Sequence, residues 1–220
     1  MPASVVRPEY GPTLPELLVP RLRALSRPAQ ALVALAALAL VGAVVWLAFL
    51  RPSGDHSYVA RHPVAFNFIY SAPLRVVPAR GDELVRLEQR QGSRFVQSMT
   101  VEPLRVPASS GDPGAALSVL AESVKKTIGA RLTRFQTGNE GRIRLNEAAA
   151  GYGFAFRARL GKRRLFGRAA LVAPTSSGSG QALLITLLAT PAAKVPAARV
   201  GALGALKDPY HSFRFGTSRP

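Results

Sequence analysis

ALLITLLA, residues Ala182 to Ala189, is an apolar run interrupted only by Thr186. A half-buried strand alternates polar with apolar residues, because successive side chains point to opposite faces. A run without that alternation, too short for a typical helix, predicts a central strand covered on both faces. The remainder of the chain must then supply one layer above this strand and one below it.

Moving toward the N-terminus, Ser176-Ser177-Gly178-Ser179-Gly180 reads as a flexible loop, and Arg163 to Val172 as a strand. Leu160-Gly161 is a turn, and Phe154-Ala155-Phe156-Arg157-Ala158-Arg159 alternates with a two-residue period. Arg142 to Leu145 alternates as well, after a turn-like Thr137-Gly138-Asn139. Before these lies a helix. Asp112 can cap it, Pro113 is a suitable first residue, and Gly129 is its expected stop. Leu117, Leu120, Val124 and Ile128 share one face, and Glu122 is set to pair with Lys126 on the other. Glu83 to Glu88 and Arg94 to Val101 predict a hairpin around Gln91-Gly92-Ser93. Ala65 to Tyr70 predicts a further strand, ended by Ser71-Ala72-Pro73. Beyond the central strand, Arg199 to Leu206 suits a short helix ended by Pro209, and Tyr210 to Phe215 an extended piece. The expected fold is therefore α+β: a mainly antiparallel β-sheet packed with one long and one short helix.

From Pro63 to Thr217 this order resembles the PsbP-like superfamily, which includes photosystem accessory proteins, a Ran-binding import factor and many bacterial lipoproteins. Two places carry the resemblance. One is Phe66-x-Phe68-x-Tyr70 followed by Pro73; the other is the closing DPYHSFRF, Asp208 to Phe215. The chain departs from the pattern at Leu74, where the family usually has a bulky aromatic. The resemblance implies a non-catalytic binding or assembly module. Cystatin-like and NTF2-like domains have similar element counts.

Ala29 to Leu50 holds no charged residue and is flanked by Arg27 and Arg51. As a helix it would rise about 33 Å, against a hydrocarbon core of about 30 Å. Trp46 and Phe49 lie where aromatic rings favour the lipid interface. The stretch is longer than the apolar core of a signal peptide, and no Ala-x-Ala cleavage pattern follows it. A retained transmembrane helix is expected. Arg7, Arg21, Arg23 and Arg27 precede it, whereas only Arg51 and Arg61 follow closely, which favours a cytoplasmic N-terminus. The expected organisation is a proline-rich disordered tail over 1–28, a single-pass transmembrane helix over 29–50, a spacer over 51–62, and an extracytoplasmic domain over 63–217.

The chain carries 29 Lys and Arg against 12 Asp and Glu, a net charge of +17, and no cysteine. Lysine contributes only Lys125, Lys126, Lys162, Lys194 and Lys207; with many alanines this composition suits a bacterial genome rich in G and C. Disulfides and thiolate metal sites are excluded. The six cations Arg157, Arg159, Lys162, Arg163, Arg164 and Arg168 crowd round Gly161. Alternation places Phe154, Phe156 and Ala158 on one face, and Arg157 and Arg159 on the other. Arg142 and Arg144 would extend this cationic face if their strand pairs there. Guanidinium forks match phosphate and carboxylate oxygens, so these six are the candidate anion- or partner-binding residues. The bland alternative is a solvated basic surface.

Other constellations are weaker. His56 and His62 lie beside Asp55 in the spacer, too few to define a metal site. Asp208, His211 and Ser212 contain the residue types of a hydrolase triad, but such triads form by spatial geometry rather than adjacency, and no Gly-x-Ser-x-Gly elbow occurs. Neither Gly151-x-Gly153 nor Ser176 to Gly180 completes a nucleotide-binding motif. The expected function is a membrane-anchored, non-enzymatic binding or assembly module without cofactor or metal. Its partner would be anionic lipid, wall polymer or an acidic protein. The alternatives are a cytosol-facing nucleic-acid or anionic-lipid binder, and a hydrolase using Asp208, His211 and Ser212. Nucleic acid is disfavoured because the Phe residues alternate inward, leaving few stacking platforms.

Overall fold

The computed structural model describes residues 26–49, 54–106, 113–145, 149–174 and 181–218. The chain divides into two compact units, Met1–Pro52 and Ser53–Pro220. In the first, helix α1 spans Arg27–Phe49. Pro28 lies in its first turn, where no backbone N–H is needed. Leu32, Leu35, Leu38, Leu40 and Val41 are each 60% to 78% exposed. At about 100° per residue, these five point to all sides of the helix rather than along one stripe. Among the described residues no helix is long and apolar enough to cross a membrane. The side chains of 43–49, including the expected interfacial Trp46 and Phe49, lie outside the described residues, as do the tail over 1–25, Asp112 and the loop over 176–180.

The second unit contains strands β1 (His56–Ala60), β2 (Phe66–Tyr70), β3 (Arg75–Val77), β4 (Val85–Gln91) and β5 (Arg94–Arg105). After these come helix α2 (Pro113–Arg131), β6 (Thr133–Arg144), β7 (Ala149–Leu160), β8 (Arg163–Pro174), β9 (Gln181–Ala189), helix α3 (Lys207–His211) and β10 (Arg214–Phe215). A seven-stranded sheet has the order β3-β4-β5-β9-β8-β7-β6, and a three-stranded sheet the order β1-β2-β10. Every pairing between these strands is antiparallel. The unit is an α+β domain, as the order of elements predicts.

The run Ala182–Ala189 lies in β9, the middle strand of the larger sheet. Leu183, Ile185, Leu187 and Ala189 enter one core, with Phe66, Phe68, Met99, Val101 and Phe213. Ala182 and Leu184 enter the other, with Leu117, Ala121 and Val124 of α2 and Phe154 and Phe156 of β7. Both faces are thus buried, and each fully buried leucine or isoleucine contributes about 1.5–3 kcal/mol.

The two places that carry the family resemblance meet in space. Arg214 and Phe215 of β10 pair with Asn67 and Phe66 of β2. The Phe66 and Phe213 rings stack at 5.4 Å. Asn67 is fully buried and donates from Nδ2 to the carbonyls of Gly216 and Ser218, both at 2.8 Å. Leu74 is buried in the same core.

Several elements differ from expectation. Part of the supposed spacer forms β1, whose five residues pair with β2. Helix α2 continues through Gly129 to Arg131, because nothing in the local chain breaks it there and the glycine packs closely on Phe135. Lys125, rather than Lys126, engages Glu122. Thr137-Gly138-Asn139 is no turn but an irregularity inside β6, which starts at Thr133. The closing helix is α3 rather than Arg199–Leu206; that segment instead contains turns in which Gly201 and Gly204 take positive φ. Pro209 sits within α3, in the first turn, where its missing N–H costs nothing.

Candidate anion-binding face

The β7–β8 hairpin is in register from Ala149↔Pro174 to Leu160↔Arg163. Cross-strand partners share a face, so Arg157 lies with Phe166, Arg159 with Arg164, and Ala155 with Arg168. Phe154, Phe156 and Ala158 are buried under α2, and Arg157, Arg159, Arg164 and Arg168 occupy the opposite face, as alternation predicts, whereas Arg163, paired with Leu160, falls on the α2 side. Arg142 and Arg144 do not extend that face. Arg142 pairs with Tyr152, which packs on the core toward α2, whereas Ile143 beside it packs on the opposite core.

The six candidate cations separate into two groups. At the hairpin tip, Arg163 and Arg164 line a groove of about 340 Å³ with Arg94, Phe95, Thr190 and Pro191. Arg94 comes from the β4–β5 hairpin, far away in sequence, and tertiary pairing alone brings it here. Thr190 fixes the floor: its hydroxyl and its backbone N–H both donate to the Val96 carbonyl at 2.9 Å. Lys162 is exposed in the turn, and Arg159 is half-buried beside it. Among the described residues, the ion pairs involve Arg86, Arg90 and Lys125, and none includes the tip cations.

The second group lies farther along the strands. Arg157 and Arg168 line a cleft of about 310 Å³ with Gln136, Thr137, Gly138, Asn139, Ala155, Ala197 and Ala198. The irregularity of β6 forms one wall: Gly138 and Asn139 are the two residues between the pairs Thr137↔Phe156 and Glu140↔Phe154. Such a bulge re-aims side chains out of the regular pleat. The opposite wall is a short 3₁₀ turn, Ala197–Arg199. Arg168 donates from Nη2 to the Ala198 carbonyl at 3.5 Å. Tyr210 lines the adjoining cleft with it; burial raises that phenol above its ordinary pKa, with Arg168 pulling the other way. Sequence reasoning missed Gln136 and Asn139. The turn-like Thr-Gly-Asn triplet was the available signal.

The residues of the hydrolase alternative have other roles. Ser212 accepts from the Ile69 N–H at 2.8 Å and donates to the Asp208 carbonyl at 2.6 Å. His211 is exposed, its ring edge-on to Tyr210 at 5.6 Å. Asp208 is exposed too, and these three side chains do not form a hydrogen-bonded chain among the described residues. The His56 ring lies 5.3 Å from the Tyr70 ring, tilted against it. Among the described residues there is no group of three or more His, Cys, Asp or Glu able to hold a metal.

No protein family and no curated protein matches the chain by sequence. Among solved structures it is similar to the Ran-binding protein Mog1p of Saccharomyces cerevisiae, at 10% identity over 73% of this chain and 94% of that one, TM-score 0.48. It is similar to LpqN of Mycobacterium tuberculosis, described as involved in cell envelope biogenesis, at 12% identity over 76% and 95%, TM-score 0.49. A putative regulator of unknown function from Pseudomonas aeruginosa matches at 17% identity over 62% and 85%, TM-score 0.32.

Proposed function

We propose that this chain is a membrane-tethered, non-catalytic binding module of PsbP-like type, and that the tip of its β7–β8 hairpin engages an anionic surface or partner outside the cytoplasm. One observation carries the reading. Arg159 and Arg164 are directly opposed cross-strand partners, and among the described residues no carboxylate pairs with either. Like charges so placed destabilise a sheet by some tenths of a kcal/mol, up to about 1. An oxyanion bridging the pair turns that repulsion into two charge-assisted hydrogen bonds. Arg163 and Arg94 share a groove with Arg164, and Lys162 is exposed in the adjacent turn. The tether rests on the uncharged stretch Ala29–Leu50 and on apolar side chains exposed on all sides of α1, which an apolar medium covers better than a one-sided groove does.

The test uses the full chain with anionic and zwitterionic vesicles or wall fragments. Arg159→Glu/Arg163→Glu/Arg164→Glu is expected to abolish binding to the anionic set, and added salt to weaken native binding. Salt-insensitive binding that survives the triple reversal overturns the basic-tip reading. Extraction of the chain from cell envelopes by alkaline carbonate overturns the tether, and a reporter fused to the C-terminus reads which side the domain faces.

A further inference from the structure

We infer that the cleft between β6, β7, β8 and the Ala197–Arg199 turn is a second binding site, separate from the hairpin tip, for a small ligand bearing one phosphate-ester or carboxylate oxyanion. The shape comes first. The cleft of about 310 Å³ adjoins another of about 210 Å³, and the two share Asn139, Ala155 and Arg168. Together they have the size of a small-molecule site.

The chemistry is asymmetric. Arg157 and Arg168 are diagonal neighbours on one face of the β7–β8 pair: Arg157 pairs with Phe166 and Arg168 with Ala155. Their backbones are about 7–8 Å apart in that arrangement, near enough for both guanidinium groups to reach one anion. The two differ in exposure. Arg168 is half-buried and donates to the Ala198 carbonyl at 3.5 Å, so part of its orientation is fixed beforehand. Arg157 is exposed and free to close over a ligand. Gln136, Thr137 and Asn139 supply neutral donors and acceptors, while Ala155, Ala197 and Ala198 supply apolar walls. Glu140 borders the adjoining cleft, but Lys125 engages it. The two cations of the larger cleft, its neutral amides and its alanine walls fit a compact polar molecule with a single anionic group, and Arg142 borders the smaller cleft. A long polyanion would bind more readily at the exposed tip.

The site is tested by isothermal titration calorimetry of the full chain in detergent micelles. The probes are inorganic phosphate, glucose 6-phosphate and glucuronate, with glucose as the neutral control. At least one oxyanion is expected to bind at millimolar concentration or below, while glucose does not. Preference for glucose 6-phosphate assigns a phosphate ester and preference for glucuronate a carboxylate; either supports the site. Arg157→Gln, on an exposed residue whose loss leaves the fold intact, is expected to weaken binding about tenfold. Arg157→Gln/Arg168→Gln is expected to abolish it, with circular dichroism confirming the fold. Arg163→Glu/Arg164→Glu, which removes the tip, is expected to leave it unchanged. Undiminished affinity in Arg157→Gln, loss of affinity in the tip variant, equal binding of glucose, or no binding of any probe overturns the assignment.

Discussion

Gly167 of β8 lies directly across from Phe156 of β7, and a Cβ on that glycine would come well within 3.0 Å of the Phe156 ring. The ring is buried under α2 beside Phe135 and Phe154, at 5.3 Å and 6.1 Å between centroids. The glycine is therefore the empty half of a cross-strand pair whose other half fills the space of both.

Gly167→Ala is expected to destabilise the domain by about 1–3 kcal/mol, because the buried ring must move off its packing against Phe135 and Phe154. Thermal unfolding followed by circular dichroism should show a midpoint lower by several degrees. Adding Phe156→Leu should restore part of the loss, since the smaller side chain vacates the clash. A Gly167→Ala midpoint equal to the native one would mean that the ring does not occupy this position.

The hairpin containing this pair was legible from the sequence. So were the hairpin around Gly92 and the two-faced β9, for one reason: wherever a strand buries at least one face, its apolar residues follow the pleat. The first part of β6 buries little. Thr133 to Glu140 is exposed at every residue except Phe135, so no hydrophobic period marks it as a strand. Thr137-Gly138-Asn139 has the chemistry of a turn, and tertiary pairing with β7 makes it a bulge instead. β1 lacks that signal on similar grounds, since His56, Ser57 and Val59 are exposed.

The candidate site was legible by face and illegible by grouping. Period-two alternation correctly set Arg157 and Arg159 opposite Phe154 and Phe156. Separating Arg157 and Arg168 from Arg163 and Arg164 required the β6 bulge, the Ala197–Arg199 turn and the approach of Arg94. These depend on pairings between distant parts of the chain, which no local pattern encodes.

Glu102, on β5, supplies a pH-dependent prediction. Burial raises its pKa, Glu83 and Asp82 push the same way, and Arg131 and Arg86 oppose them. A raised carboxyl pKa means that the folded chain holds this proton more tightly than the unfolded chain does. Stability therefore falls as pH climbs from the ordinary carboxylate value of about 4.3 to the raised one, and the loss is complete above it. Glu102→Gln, neutral throughout, should gain stability relative to the native chain across that window and keep the gain at neutral pH. Urea midpoints at a series of pH values measure the difference. A difference that does not change with pH, or that shrinks as pH rises, contradicts the raised value.

Lys125 joins α2 to β6. Its ammonium pairs with Glu122 one helical turn earlier, at 2.7 Å, and with Glu140 on the edge strand. The Lys125 side chain is 11% exposed and lies 5.6 Å from the centre of the Phe154 ring, whereas Glu140 is 39% exposed. The pair is thus partly shielded by α2 and partly screened by water. A double-mutant cycle of Lys125→Met and Glu140→Gln should give a coupling of about 0.5–1 kcal/mol, smaller at high salt. Met keeps most of the aliphatic stem over Phe154, so the cycle isolates the charge rather than the packing. Hydrogen bonds to Glu122 and Glu140 raise the lysine pKa. Its contribution is then complete below the ordinary lysine value of about 10.4, and is lost as pH rises through the raised one. Glu140 immediately follows the bulge residue Asn139, so loss of the pair should also loosen the β6 wall of the cleft. Amide hydrogen exchange at 136–142 should quicken in Lys125→Met while exchange in β9 is unchanged, because opening of an edge strand does not require the centre of the sheet to open. Equal acceleration in both strands would show that the pair supports the whole domain rather than its edge.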